Sequence, residues 1–226
     1  MTLKIKSGNL ETINTKIVSK MNQEQERILL YAQKKFMAEG FYKISMDEIA
    51  ADLGVSKKTL YKYFESKDQL VEQAMFHFFE TVHDQIKQLH ISTEPILEKF
   101  CALVQIIVSR IPLLSRKFLQ DMRIHAPALW EKVNAFRTEK IRHYFGMLLS
   151  QGREEGFIID YPDELIMQIL VSLISGVINP EFLISSRLSN QDAFRMTVTI
   201  FMNGLLTDKG KKVFNKLKIG EIVCEN

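Results

Sequence analysis

Cysteine is nearly absent: Cys101 and Cys224 are the only two in 226 residues. Two thiols so far apart cannot build a disulfide framework, and no Cys-x-x-Cys pair offers a redox or zinc motif. Proline and glycine are scarce as well. The prolines, Pro95, Pro112, Pro127, Pro162 and Pro180, all fall in the later part of the chain, each beside an expected helix end. An architecture of strands and tight turns needs more of both residues, so long helices are favoured. Long apolar runs are missing too. The longest uncharged stretch, Leu165 to Pro180, is interrupted by Gln168, Ser172, Ser175, Gly176 and Asn179, and is too short and polar to cross a bilayer. The opening MTLKIKSGNLETINTK has no apolar segment of signal-peptide length. These absences predict a soluble cytoplasmic protein with no membrane partner.

Catalytic signatures are equally thin. No glycine-rich phosphate loop or nucleophile elbow occurs, and Gly152-Arg153-Glu154-Glu155-Gly156 reads as a charged helix end closed by glycine. His77, Glu80 and His83 lie three apart on one expected helix with His90 beyond, a spacing that matches no zinc motif. A surface histidine cluster is the expectation, with no catalytic residues, no metal and no cofactor. The net charge of +3 is uninformative, but its placement is not. Residues 1–20 carry four Lys against one Glu, and Ser56–Lys67 repeats that ratio. After Thr207 there are five Lys against three acids.

What is present is helical periodicity. Residues 1–20 read as a flexible basic arm. From Gln23, Ile28, Leu29, Ala32 and Phe36 share one helix face, and Gly40 suits a left-handed stop. Ser45-Met46-Asp47-Glu48 has the pattern of a capping box opening a second helix, with Ile49, Ala50 and Leu53 inward and Gly54 at its end. Ser56 caps a third helix, and Ser66-Lys67-Asp68-Gln69 launches a long fourth through Leu70, Ala74 and Phe78. Further helices are expected over 95–110, 113–125, 127–155, 162–178 and 191–206. The last two are apolar on more than one side and so need burial on several sides.

Ser45 to Lys67, SMDEIAADLGVSKKTLYKYFESK, therefore describes two short helices around a tight turn at Leu53-Gly54-Val55. That is a helix-turn-helix, in which the second helix enters the major groove. Leu60 and Phe64 point inward at 100° per residue, leaving Lys57, Lys58, Thr59 and Lys62 outward or lateral, with Tyr61 and Tyr63 alongside. Cations with aromatics suit phosphates and base edges. By residues alone, simple packing with solvated lysines remains open beside DNA binding.

The order of Gly40-Phe41, Ser45-Met46-Asp47-Glu48-Ile49-Ala50, Leu53-Gly54-Val55-Ser56, Thr59-Leu60-Tyr61-Lys62-Tyr63-Phe64 and Ser66-Lys67-Asp68 closely resembles the DNA-binding region of the TetR family. By that likeness Lys57, Lys58, Tyr61 and Lys62 face bases or line the groove, while Ser45, Thr59, Tyr63 and Lys67 hold phosphates. Tyr63 has an alternative as a wedge against the fourth helix, and Asp47 is expected to serve its helix N-terminus. The resemblance implies an all-α fold: an N-terminal three-helix helix-turn-helix domain, then a larger helical effector-binding and dimerisation domain. The divisions are 1–20 arm, 21–75 DNA-binding domain, 76–207 ligand-binding and dimerisation domain, and 208–226 Lys-rich tail.

It further implies a homodimer on a double-stranded operator, acting as a repressor released by a small-molecule effector. An activator or nucleoid-associated binder without an effector, or an interaction protein with a vestigial motif, are the alternatives. Phe100, Phe118, Met122, His125, Trp130 and Tyr144, with Phe136 and Met147, are the expected pocket walls for an apolar or amphipathic effector. Arg110, Arg116 and Arg123 are candidates to face a carboxylate. Leu173, Ile174, Val177, Phe194, Val198, Phe201, Met202 and Leu205 are the expected dimer contacts, since their helices ask for a symmetry mate.

Overall fold

The computed structural model describes residues 21–110, 113–177, 179–186 and 188–216; the basic arm and the end of the tail lie outside them. Among the described residues the chain is helical, and its extended pairing is one antiparallel bridge, Ile158 with Leu206. No helix among them is long and apolar enough to cross a membrane. The head consists of α1 (Gln23–Glu39), α2 (Met46–Leu53) and α3 (Lys57–Tyr63). Helix α4 (Lys67–Ile91) starts in the head and runs into the body. The body continues with α5 (Ile96–Arg110), α6 (Arg116–His125), α7 (Pro127–Glu154), α8 (Asp163–Val177), α9 (Pro180–Ser185), α10 (Asn190–Leu205) and α11 (Asp208–Lys216).

Local chemistry explains most of these boundaries. Asn22, Ser45, Ser56, Ser66, Ser115, Asn179 and Ser189 each accept a backbone N–H of the first turn they precede. Pro127 occupies the first turn of α7, where a missing N–H costs nothing. Gly54 adopts φ 66° and ψ 27°, the left-handed geometry that lets α2 reverse into α3. Gly40 departs from the expected left-handed stop. Its φ of 78° comes with ψ of 166°, which extends the chain away from α1.

The sequence-expected capping boxes close on one side only. Ser45 accepts from Glu48 N–H at 3.1 Å, but the Glu48 carboxylate turns to Lys35 at 2.8 Å. At α4, Gln69 Oε1 takes the Glu65 N–H rather than that of Ser66. Two short helices escape the periodicity reading, α9 and α11. The latter occupies the stretch taken for a Lys-rich tail, with Phe214 buried and Gly210 packed on the Phe157 carbonyl. Within the nine residues of the helix one apolar pair, Val213 and Phe214, marks it.

Two clusters of buried side chains organise the packing. One joins α1–α3 and the first half of α4 to Phe118, Leu119 and Met122 of α6. The other joins α5, the second half of α7, α8, α10 and α11. Helix α6 thus belongs to the core of the head, although it lies far along the chain.

Candidate functional site

Leu60 of α3 and Phe64 just past its end are fully buried, whereas Lys57, Lys58, Tyr61 and Lys62 are exposed. Apolar anchoring on one side therefore presents three ammonium groups and a phenol on the other. Lys57 pairs with Asp47 at 2.5 Å, so the Asp47 carboxylate acts on a cation of the next helix besides standing in the first turn of its own. Lys62 lies 5.2 Å from the centre of the Tyr63 ring.

The four expected phosphate contacts are less free. The Ser45 hydroxyl accepts the α2 capping bond yet keeps its own hydrogen on an exposed residue. Thr59 is half-buried and shares a 2.8 Å hydrogen bond with Ser56. The Tyr63 hydroxyl meets Asn22 at 3.2 Å and Glu24 at 3.3 Å, tying α3 to the start of α1. Lys67 donates to the Tyr42 carbonyl at 2.7 Å, and desolvation lowers its pKa.

A brace around α2 holds this surface. Lys35 bridges Glu48 at 2.8 Å and Asp52 at 2.6 Å. Tyr31 donates to Asp52 at 2.6 Å, and Arg27 donates to the Leu53 carbonyl, also at 2.6 Å. The hydrogen bonds to Asp52 and Glu48 raise the Lys35 pKa, and the bond from Lys35 lowers that of Asp52. A cation on the last carbonyls of α2 also suits the negative end of its dipole.

The head is sewn to α6. The Tyr42 N–H donates to the buried Asp121 carboxylate at 2.8 Å, and Ser115 N–H donates to the Met37 carbonyl at 2.9 Å. Phe41 meets Phe118 edge-on at 6.0 Å, and Tyr42 stacks on His125 with ring centres 3.6 Å apart. Periodicity carries no trace of these partners.

Behind α6 lies a cavity of about 190 Å³ between α4, α5, α6, α7, α8 and α10. Phe100, Phe118, Trp130, Phe136 and Tyr144 line it. Three expected wall residues do not. Met122 is wholly buried in the head's core, His125 faces outward against Tyr42, and Met147 is exposed. Met122 shares a face of α6 with Phe118 but lies one turn further along the helix, where that face packs within the head's core and no longer lines the cavity. Of the expected carboxylate-facing arginines, Arg110 lines the cavity and donates to Gln85 at 3.0 Å, whereas Arg116 donates to the Leu188 carbonyl at 3.3 Å and Arg123 is exposed. Arg137 and Lys140 also line it and were missed. The available signal was the four-residue spacing of Val133, Arg137 and Ile141, which puts an arginine on an apolar stripe. Desolvation pushes the Arg137 guanidinium down to about 10 and holds the His83 imidazole below its usual value. Outside the cavity, His77 bonds Gln33 of α1 at 2.8 Å.

The expected dimer contacts divide by their burial within the protomer. Ile174, Phe194, Val198, Phe201, Met202 and Leu205 are buried in the protomer's own core, and Leu173 and Val177 are half-buried. The exposed apolar side chains are Leu165 and Ile169 of α8 and Met196 and Ile200 of α10, each pair four residues apart.

An exposed cationic helix after a tight turn, braced on a helical body with an apolar cavity, defines a helix-turn-helix DNA-binding transcriptional regulator. Residues 28–74 match the model of the bacterial regulatory proteins of the tetR family. The helix-turn-helix-type regulator YvaF of Bacillus subtilis is 25% identical over 185 residues, 81% of this chain and 96% of that protein. A TetR/AcrR-family regulator from Thermobifida fusca has the same fold, with a TM-score of 0.60 at 18% identity over 81% of this chain and 98% of its own. The fatty acid degradation regulator FadR of Bacillus halodurans superposes with a TM-score of 0.59 at 18% identity, covering 82% of this chain and 97% of its own. The chain is thus similar to the tetR family of bacterial regulatory proteins over its DNA-binding region, and to solved regulators of that family in fold.

Proposed function

We propose that the protein is a dimeric repressor that docks α3 of each subunit in the major groove and releases its operator when a small molecule fills the cavity. The observation that carries the reading is the outward face of α3, with Lys57, Lys58, Tyr61 and Lys62 exposed over a fully buried Leu60 and Phe64. Lys58 has no partner among the described residues, so it is the side chain best placed to reach a base edge. The capped hydroxyls of Ser45 and Thr59, with Tyr63 and Lys67, frame the phosphates on either side. The outward apolar stripes of α8 and α10 are the dimer face, which sets the two recognition helices about one DNA turn apart.

Coupling follows from shared elements. Helix α4 begins beside α3 and supplies Met75, Phe78 and Val82 to the cavity. Helix α6 gives Phe118 and Leu119 to the cavity, and Phe118 touches Phe41 of the head. A ligand that favours one position of these helices shifts the population between operator-competent and incompetent dimers.

Fluorescence anisotropy of the protein with DNA from upstream of its own gene, against a scrambled duplex at two salt concentrations, tests this. Tight, sequence-preferring binding that weakens steeply with salt is expected. Lys58→Ala is expected to lose roughly 1–3 kcal/mol on the preferred sequence and little on the scrambled one. Equal weak binding to both duplexes, or an unaffected Lys58→Ala, counts against the reading.

A further inference from the structure

Arg137 is out of place in an apolar wall. Its Nε is wholly buried with no hydrogen-bond partner, and among the described residues Nη2 donates to the neutral Asn134 Oδ1 at 3.0 Å. No ion pair involves it among the described residues. A desolvated cation is ordinarily held with an acid and full hydrogen bonding. Arg153, the other arginine with a buried unpartnered Nε, has such acids, Asp160 and Asp163.

The surroundings say what is missing. The charged residues lining the cavity are Arg110, Arg137 and Lys140, and no Asp or Glu lines it. The remaining wall is overwhelmingly apolar, with Phe78, Phe100, Trp130, Phe194 and Phe201 among its larger members. A cavity lined by hydrocarbon, with cations from α5 and α7 and no acid, is complementary to a molecule with one anionic end and an apolar body. The bond from Nη2 to Asn134 orients the guanidinium plane and leaves the group short of acceptors, which a carboxylate head group would supply.

We propose that the cavity binds an amphipathic carboxylate, with its acyl chain among the aromatic walls and its head group on Arg137. This deepens, and rests on, the reading of the cavity as the effector site.

Trp130 is the only tryptophan and lines the cavity, so its emission reports occupancy directly. The full-length protein is titrated with decanoate and, separately, with decanol. Decanoate is expected to bind about tenfold to a hundredfold more tightly, the range for a charge-assisted hydrogen bond. Arg137→Met, which removes an unpaired buried charge, is expected to keep its melting temperature or raise it, to bind decanol as before and to lose the preference. Arg137→Lys is expected to retain part of it. Equal binding of acid and alcohol by the native protein, no saturable binding of either, or a preference that survives Arg137→Met would overturn the assignment.

The operator experiment separates this from the regulatory reading. Arg137-dependent decanoate binding that leaves DNA affinity unchanged preserves the carboxylate site and removes its regulatory role. Release from DNA by decanol and decanoate alike does the reverse.

Discussion

Single residues decide how the head meets the body. Gly40 has a positive φ, and a Cβ there would lie 2.5 Å from Asp121 Oδ2 and 2.9 Å from Lys117 Cγ. The same Asp121 oxygen accepts the Tyr42 N–H, so it cannot retreat without breaking that bond. Glycine at this position is therefore a condition for the close approach of α6. Gly40→Ala is expected to destabilise the protein by more than about 1 kcal/mol, from strain at positive φ and the clash together. Asp121→Ala should cost about 1–3 kcal/mol through the unsatisfied amide. Thermal unfolding of both variants measures these effects, and an unshifted melting temperature for Gly40→Ala would show that the loop relaxes freely. Lys67 belongs to the same joint, since its ammonium holds the Tyr42 carbonyl.

Among elements, the α1–α2 brace sets the angle at which α3 is presented. Glu48 is drawn from its capping role to Lys35, and Asp52 gathers Lys35 and Tyr31. Because Lys35 holds the Asp52 pKa below its ordinary 3.8, the pair stabilises the folded head above that pH. The contribution fades as pH falls through the lower folded value, where the carboxylate takes up a proton. Asp52→Asn removes it at all pH values. The melting-temperature gap between native and Asp52→Asn proteins is thus expected to be widest near neutrality and to close on acidification below 3.8. A gap that stays constant across a pH series would assign the loss to packing instead.

For the molecule, the division of apolar surface matters most. Helices α8 and α10 bury one side in their own protomer and leave Leu165, Ile169, Met196 and Ile200 outward, with Ile200 71% exposed. Apolar side chains repeated at helical spacing on adjacent elements form a patch suited to a two-fold mate. Ile200→Glu places like charges across such an axis and is expected to weaken dimerisation by about 2 kcal/mol or more, as for a central interface residue. Sedimentation velocity checks this, and a Phe201→Ala control should lower stability without that selective shift in mass, since Phe201 lies in the protomer core. Loss of the dimer should also lower operator affinity, because two linked half-sites become one.

Much of the head was legible in the sequence because its determinants are close in the chain. Ser45, Gly54, Ser56 and Ser66 act within a few residues, and Leu60 with Phe64 declare a buried face at one helical turn. The helix-turn-helix, the all-α class and the exposed lysines of α3 follow from such local rules. Tertiary structure decided the rest. Tyr42 and Asp121 are 79 positions apart, and nothing in either neighbourhood names the other. Helices apolar on several sides have no single inward face in isolation, so only packing assigned Phe194 and Phe201 to the core and Ile200 to the surface. Arg137 reads locally as one more charged helix residue; its isolation exists only once other helices have closed around it. Local caps and turns choose the elements, while burial, which depends on distant chain segments, chooses which face of each element carries function.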